Sequence, residues 1–182
     1  MGLEAAASRL RKYEAQLIPG LLQTKAYATH VYEVARPDMT VDEIDRGVAV
    51  RLGRQALLTR STPAAPQVDI LLDEAVLRRG VDIEQLDHIA SVSRQPNISV
   101  RVVPFTIGLH RAAMANGAFT ILDFDRGDEP SIIYSDGLTG ALYLDKPAEV
   151  AAYEDVWSAI EMKALSEADS REVIASIAEE QK

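Results

Sequence analysis

Few side chains in this sequence are spaced for chemistry. It has three histidines, His30, His88 and His110. No two stand at a spacing that would set their ring nitrogens on one metal, and there is no HExxH helix. His88 falls among charged neighbours and reads as a surface residue. His30 follows Tyr27 by three and reads as part of a helix face. His110 comes after Pro104-Phe105-Thr106-Ile107-Gly108-Leu109, behind a strand, where ligand-facing loops lie. It is the imidazole to consider as a proton donor or acceptor, with a structural role as the simpler reading.

Carboxylate pairs such as Asp73-Glu74, Asp123/Asp125 and Asp128-Glu129 are expected by chance in a chain with 28 acidic residues. Adjacent residues on a strand also point to opposite faces. Asp73-Glu74 stands apart because it ends a strand, where α/β sheets form pockets. Glu74 with Arg78 four residues on is more simply a helix ion pair. Arg46, Arg51, Arg54 and Arg60 lie along one helix, and Arg51-Leu52-Gly53-Arg54-Gln55 brings two guanidinium groups close together. They read either as a carboxylate or anion clamp or as a solvated face paired with Asp42, Glu43 and Asp45. The phosphate-loop patterns GxGxxG and GxxxxGK[ST] and the nucleophile elbow GxSxG are missing. With no cysteine, thiolate nucleophiles, iron–sulfur clusters and cysteine-ligated zinc are excluded. No cofactor or metal is expected.

Composition narrows the partners. The 182 residues are 47% hydrophobic with a net charge of −9, so a packed core is expected rather than disorder. Residues 1–60 carry nine basic and seven acidic side chains (+2), and residues 145–182 carry four basic and ten acidic (−6). Direct nucleic-acid binding needs a dense basic face and is not expected of this chain. The opening MGLEAAASRLRKYEAQ has no apolar run behind its charges, and no segment has the length of a membrane helix. A cytoplasmic protein without a membrane contact is expected.

The elements that must position these residues begin with helices. Leu3, Leu10 and Leu17 predict a first helical stretch, broken at Pro19-Gly20. A second runs from Gln23 to Ala35 with Tyr27, Ala28, Val31 and Val34 on one side. Thr40 with Glu43 is a capping box opening a third, carrying Val41, Ile44, Val48, Leu52 and Leu58. From Pro66 the texture becomes strand-rich: Val68–Leu72, a short helix Glu74–Arg79, a helix capped by Asp82 that runs to Arg94, then Ile98–Val103. This order is a βαβ unit. Phe119–Phe124, Ile132–Tyr134 and Leu142–Leu144 follow through the turns Arg126-Gly127-Asp128-Glu129-Pro130 and Asp136-Gly137-Leu138-Thr139-Gly140, which predicts an antiparallel meander. Helices Pro147–Ala164 and from Ser166 onward close the chain. The expected class is α/β (α+β): an N-terminal helical layer (1–65) and a mixed sheet of about five strands with covering helices (66–182) in a single compact domain.

The string Tyr13-Glu14-Ala15-Gln16-Leu17-Ile18-Pro19-Gly20-Leu21-Leu22-Gln23-Thr24-Lys25-Ala26-Tyr27-Ala28 resembles the opening of an actinobacterial family, the domain of unknown function 5753. Arg51-Leu52-Gly53-Arg54-Gln55, Leu72–Arg79, Pro96–Phe105, Gly108-Leu109-His110, Phe119–Leu122, Tyr143-Leu144-Asp145 and Ala164-Leu165-Ser166 with Ser170 match in the same order. The resemblance implies the C-terminal module of XRE-type helix-turn-helix, antitoxin-like transcriptional regulators, often encoded beside a small partner protein. Here no helix-turn-helix precedes Met1, so the chain is expected to be either the C-terminal part of a longer regulator or a stand-alone relative. The sheet order also resembles degenerate phospholipase-D-like domains. Their HxK pattern is not met, since Arg111-Ala112-Ala113 follows His110.

The expected function is a non-enzymatic effector domain sensing a small-molecule ligand or a small partner protein. Its pocket is expected at the strand ends, near Asp73, Glu74, Phe105 and His110, with Tyr27 or Arg54 closing over it. The alternative is a stand-alone biosynthetic enzyme, cyclase- or isomerase-like. Its pocket would be lined by Tyr27, Tyr134, Tyr143 and Trp157, with His110 or Glu74 moving the proton. The apolar stripe Val150, Tyr153, Val156, Trp157 and Ile160, with Val173, Ile174 and Ile177, either covers one face of the sheet or supports a homodimer.

Overall fold

The computed structural model describes residues 2–114, 117–125, 130–137 and 139–182. The expected turn at 126–129, with its carboxylate pair Asp128-Glu129, lies outside the described residues, as does Leu138 of the second turn. In chain order the elements are α1 (Leu3–Ala6), β1 (Arg9–Glu14), α2 (Lys25–Ala35), α3 (Val41–Gly53), β2 (Gln67–Asp73), α4 (Glu74–Arg78), α5 (Ile83–Val92), β3 (Ile98–Val103), α6 (Arg111–Met114), β4 (Phe119–Asp123), β5 (Ile132–Gly137), β6 (Gly140–Leu144), α7 (Pro147–Glu161) and α8 (Glu167–Glu179). Short 3₁₀ turns occupy Gly20–Leu22 and Arg54–Leu58.

The six strands form one mixed sheet in the order β3-β2-β1-β4-β5-β6. Parallel β2–β3 pairing is the expected βαβ unit, and β4–β5–β6 is the expected meander. The principal correction concerns residues 9–14, expected within a helix. They form β1, parallel to β2 on one side and antiparallel to β4 on the other.

The helical misreading has a physical cause. Both faces of the sheet are covered, so β1 buries Leu10 on one face and Tyr13 on the other. Two buried residues three apart mimic the spacing of a helix stripe. The charged residues between them are matched across the strands. Arg9 reaches Asp69 at 2.7 Å, and Arg11 holds Asp123 and Glu154 at 2.8 and 3.1 Å. The opening 65 residues thus supply a central strand as well as α2 and α3.

One face of the sheet presents Leu10, Val68, Ile70, Leu72, Val100, Val102 and Leu122 to Leu22, Val76, Leu86, Ile89, Ile174 and Ile177 from the 3₁₀ turn, α4, α5 and α8. We call this the cleft face. The other presents Tyr13, Leu71, Val103, Phe119, Ile121 and Ile133 to Val150, Trp157 and Ile160 of α7. Trp157 is 2% exposed, so it is core, and its ring is not part of a surface for self-association.

The capping box is present. Glu43 Oε2 accepts the Thr40 N–H at 2.8 Å, and Thr40 Oγ1 accepts the Glu43 N–H at 3.4 Å. Ile44 and Val48 form the buried face of α3, whereas Val41 is exposed. Gly47 sits where a Cβ would lie 2.9 Å from the Tyr32 ring, so glycine lets α2 close onto α3. No helix among the described residues is long and apolar enough to cross a membrane.

Candidate functional site

Between the cleft face of the sheet and the chain from Gln16 to Gln23 lies a cleft of about 460 Å³. Strand register fixes its floor. Continuous pairing sets Lys12, Thr120, Tyr134 and Tyr143 in one row across β1, β4, β5 and β6. Beyond the end of the β1–β4 and β4–β5 pairing, Glu14, Ala118 and Asp136 also line the cleft, Asp136 stands opposite Ala141, and Ala118 O accepts the Ser135 hydroxyl at 2.9 Å. The row on the opposite side, Leu10, Leu122 and Ile132, is apolar and joins the core. The floor therefore runs from hydrophobic through mixed to charged.

Each charged group on the floor has a neighbour. Lys12 Nζ lies 3.2 Å from Thr120 Oγ1 and 3.2 Å from Glu14 Oε1. Burial, reinforced by Asp136, pushes the Glu14 carboxyl above its usual range against the pull of Lys12. The Tyr134 hydroxyl donates to Asp136. Burial and that carboxylate raise its pKa, so it stays a donor at neutral pH. Arg54 pairs with Glu4 at the rim. Its pKa is raised although burial opposes this, by Glu4 and more weakly by Tyr134 and Asp136.

The roof is held by glutamines. Gln23, 2% exposed, donates to Ile18 O at 2.7 Å and accepts from Arg51 at 3.0 Å. Gln55 Nε2 donates to Gly20 O and Gln23 O at 3.2 and 2.7 Å. Gln85 on α5 is fully buried: its Nε2 donates to Leu22 O, and its Oε1 accepts the Thr24 N–H, both at 2.7 Å. A buried loop must find partners for its own N–H and C=O groups, and here side chains from the 3₁₀ turn after α3 and from α5 supply them. Thr24 then caps α2 by accepting the Tyr27 N–H.

The residues nominated from sequence separate into two places. Arg54 and Tyr134 line the cleft, and Tyr143 packs its ring 5.1 Å from that of Tyr134. Tyr27 does not line it. Its buried hydroxyl accepts the Ile18 N–H at 3.3 Å and so supports the roof from behind. Asp73, Glu74, Phe105 and His110 do come together at the ends of β2 and β3, as expected, but with Tyr13 on the opposite face of the sheet. Arg54 and Tyr27 therefore do not close over them.

In that second group His110 is 8% exposed, with its Nε2 3.8 Å from Asp73 Oδ2 and its Nδ1 without a hydrogen-bond partner among the described residues. Proton transfer works at about 2.6–3.2 Å. Both Glu74 oxygens are engaged, Oε1 by Arg78 and Oε2 by the Phe105 N–H at 3.1 Å. Tyr13, edge-on to His110, has its hydroxyl pushed up to about 12 by burial, then by Asp73 and Glu14. Trp157 lies in the core of that face. Lys12, Glu14, Gln23, Gln85, Ala118 and Asp136 were not singled out from sequence. Only Glu14 and Gln23 carried a signal, by falling inside the Tyr13–Ala28 string.

Fold and cleft together define an α/β sandwich domain with a charged, loop-roofed cleft on one sheet face. The chain belongs to the family described as domain of unknown function (DUF5753), whose model matches residues 1–176. No curated protein matches the chain.

Proposed function

We propose that this chain is the ligand-sensing effector domain of an XRE-type transcriptional regulator, that it acts in the cytoplasm, and that the cleft is its sensing pocket. One observation carries the reading: the cleft roof is tied by Gln23, Gln55 and Gln85 to α3 and α5. A ligand bound under that roof alters the packing of the helices behind it, which is what an effector domain must do to report occupancy. The regulatory context rests on the sequence resemblance. The reading is non-enzymatic because neither nominated proton carrier faces the cleft: His110 sits edge-on to Tyr13 on the other face of the sheet, and Glu74 is engaged there by Arg78 and the Phe105 N–H.

A thermal-shift screen of the chain against metabolites tests it. A ligand at 100 times its Kd stabilises by about 2.7 kcal/mol, a rise of roughly 5–10 °C for a chain of this size. The rise should vanish in Tyr134→Ala and Arg54→Ala, and the ligand should be recovered chemically unchanged. A rise that survives both substitutions, or no rise with any compound, would sink the proposal. Conversion of the ligand would favour the enzymatic alternative.

A further inference from the structure

We propose that the cleft takes a small organic cation, seating its ammonium group on Ala118 between the carboxylates of Glu14 and Asp136 with its body along Tyr134. This inference rests on the sensing reading above and assigns the class of ligand.

The register carries most of it. Glu14 and Asp136 stand on strands β1 and β5, separated by β4 alone, so their backbones lie about 10 Å apart at the usual strand spacing. Among the described residues the floor there is Ala118, preceded by Gly117, whose φ of 97° favours glycine. Two carboxylates flanking a position with a single methyl group leave a trough with acceptors on both sides. Each carboxylate keeps acceptor capacity beyond its contact with Lys12 or Tyr134, which an ammonium group can use on both sides and an anionic group cannot.

The charge balance points the same way. Among the described residues three carboxylates line the cleft, Glu4, Glu14 and Asp136, balanced by Lys12, Arg51 and Arg54. Arg54 is engaged by Glu4, and Lys12 is shared between Glu14 and Thr120. Arg51 is drawn away from the floor. Its guanidinium lies 4.7 Å over the Tyr32 ring and donates to Gln23. Asp136 is met by a neutral phenol. Among the described residues Asp136 is therefore the cleft carboxylate with no cation in direct contact. Glu14, with its side chain only 12% exposed, is poorly solvated, so a desolvated cation regains there what its carboxylate lacks. The Tyr134 ring, packed against Tyr143, offers an aromatic wall to the rest of the molecule.

The test compares three molecules of one shape and different charge: tyramine, 4-ethylphenol and 3-(4-hydroxyphenyl)propanoate, titrated calorimetrically into the folded chain at neutral pH. Tyramine should bind saturably, at least tenfold more tightly than the other two. Glu14→Gln should weaken it at least tenfold, and Ala118→Leu, which fills the trough while keeping both carboxylates, should abolish it with the circular dichroism spectrum unchanged. Equal binding of the three, preference for the carboxylate, or no saturable binding of any would overturn the cation assignment. If the carboxylate binds and Ala118→Leu blocks it, the cleft still senses a ligand and only the class is wrong. If a screened metabolite binds and neither Ala118→Leu nor Tyr134→Ala affects it, the sensing role of the cleft falls as well.

Discussion

Gln85 offers a direct test of how the cleft is built. Its side chain is fully buried and makes two 2.7 Å hydrogen bonds to the backbone of the roof, to Leu22 O and from the Thr24 N–H. Leucine at this position has nearly the same volume and can do neither. Each bond contributes about 0.5–1.5 kcal/mol net, and each buried backbone group left without a partner costs a further ~1–3 kcal/mol. Water entering beside the new methyl groups would recover part of that, so Gln85→Leu should destabilise by about 2–5 kcal/mol. In a chain of this length that is a fall in Tm of about 5–15 °C. Gln85→Ala should cost more still, because it adds a cavity. Urea denaturation should show a lower midpoint at constant slope, the mark of lost stability without a change in the surface exposed. At temperatures where Gln85→Leu remains folded, tyramine binding should also weaken, since the roof is no longer pinned to α5. A Gln85→Leu variant within about 0.5 kcal/mol of the parent would refute this account of the roof.

Glu14 has its pKa raised in the fold, chiefly by burial, so the folded state holds this proton more tightly than the unfolded chain. Its contribution is fully present below the ordinary carboxylate pKa and is lost as pH rises through the folded value. Glu14→Gln should therefore melt higher than the parent at about pH 8, with the difference shrinking towards about pH 4. A pH-independent difference would contradict the assignment. Trp157 is 2% exposed in the α7 core. Trp157→Ala should cost about 3–5 kcal/mol, and Trp157→Glu should leave no cooperative melt. A folded Trp157→Glu chain with altered sedimentation would instead place this ring at a surface between copies.

Local signals in the sequence were reliable where the structure they encode is local. Thr40 with Glu43, Asp82 with Gln85, and Ser166 with Asp169 each begin a helix whose N-cap side chain accepts the N–H three residues on. The meander was legible from its turn residues, and β2 and β3 from their β-branched runs. β1 was not, because a strand covered on both faces loses its alternation. Arg9, Arg11 and Lys12 are tolerated in a central strand because Asp69, Asp123, Thr120 and Glu154 across the strands and on α7 receive them. None of those partners is near in the chain.

The same distinction explains the site. The sequence expectation that pockets form at strand ends grouped Asp73, Glu74, Phe105 and His110 with Tyr27 or Arg54. The structure sets the first four at the ends of β2 and β3 and Arg54 in the cleft on the other sheet face. The cleft floor takes its polar residues from several strands, Lys12 and Glu14 from β1, Thr120 from β4 and Tyr134 and Asp136 from β5, so no spacing within a short string encodes it. Its roof is continuous in sequence, and that is the string from Tyr13 to Ala28. Within that string Gln23, Thr24 and Tyr27 spend their polar atoms on the chain itself, holding Ile18 and α2 in place. The most specific words in the sequence therefore encode the architecture of the cleft, while the charges that would select a ligand come from residues that look ordinary one at a time. Glu14 belongs to both sets: it lies in the string and it faces the trough beside Ala118, so its substitution bears on folding and on ligand choice together.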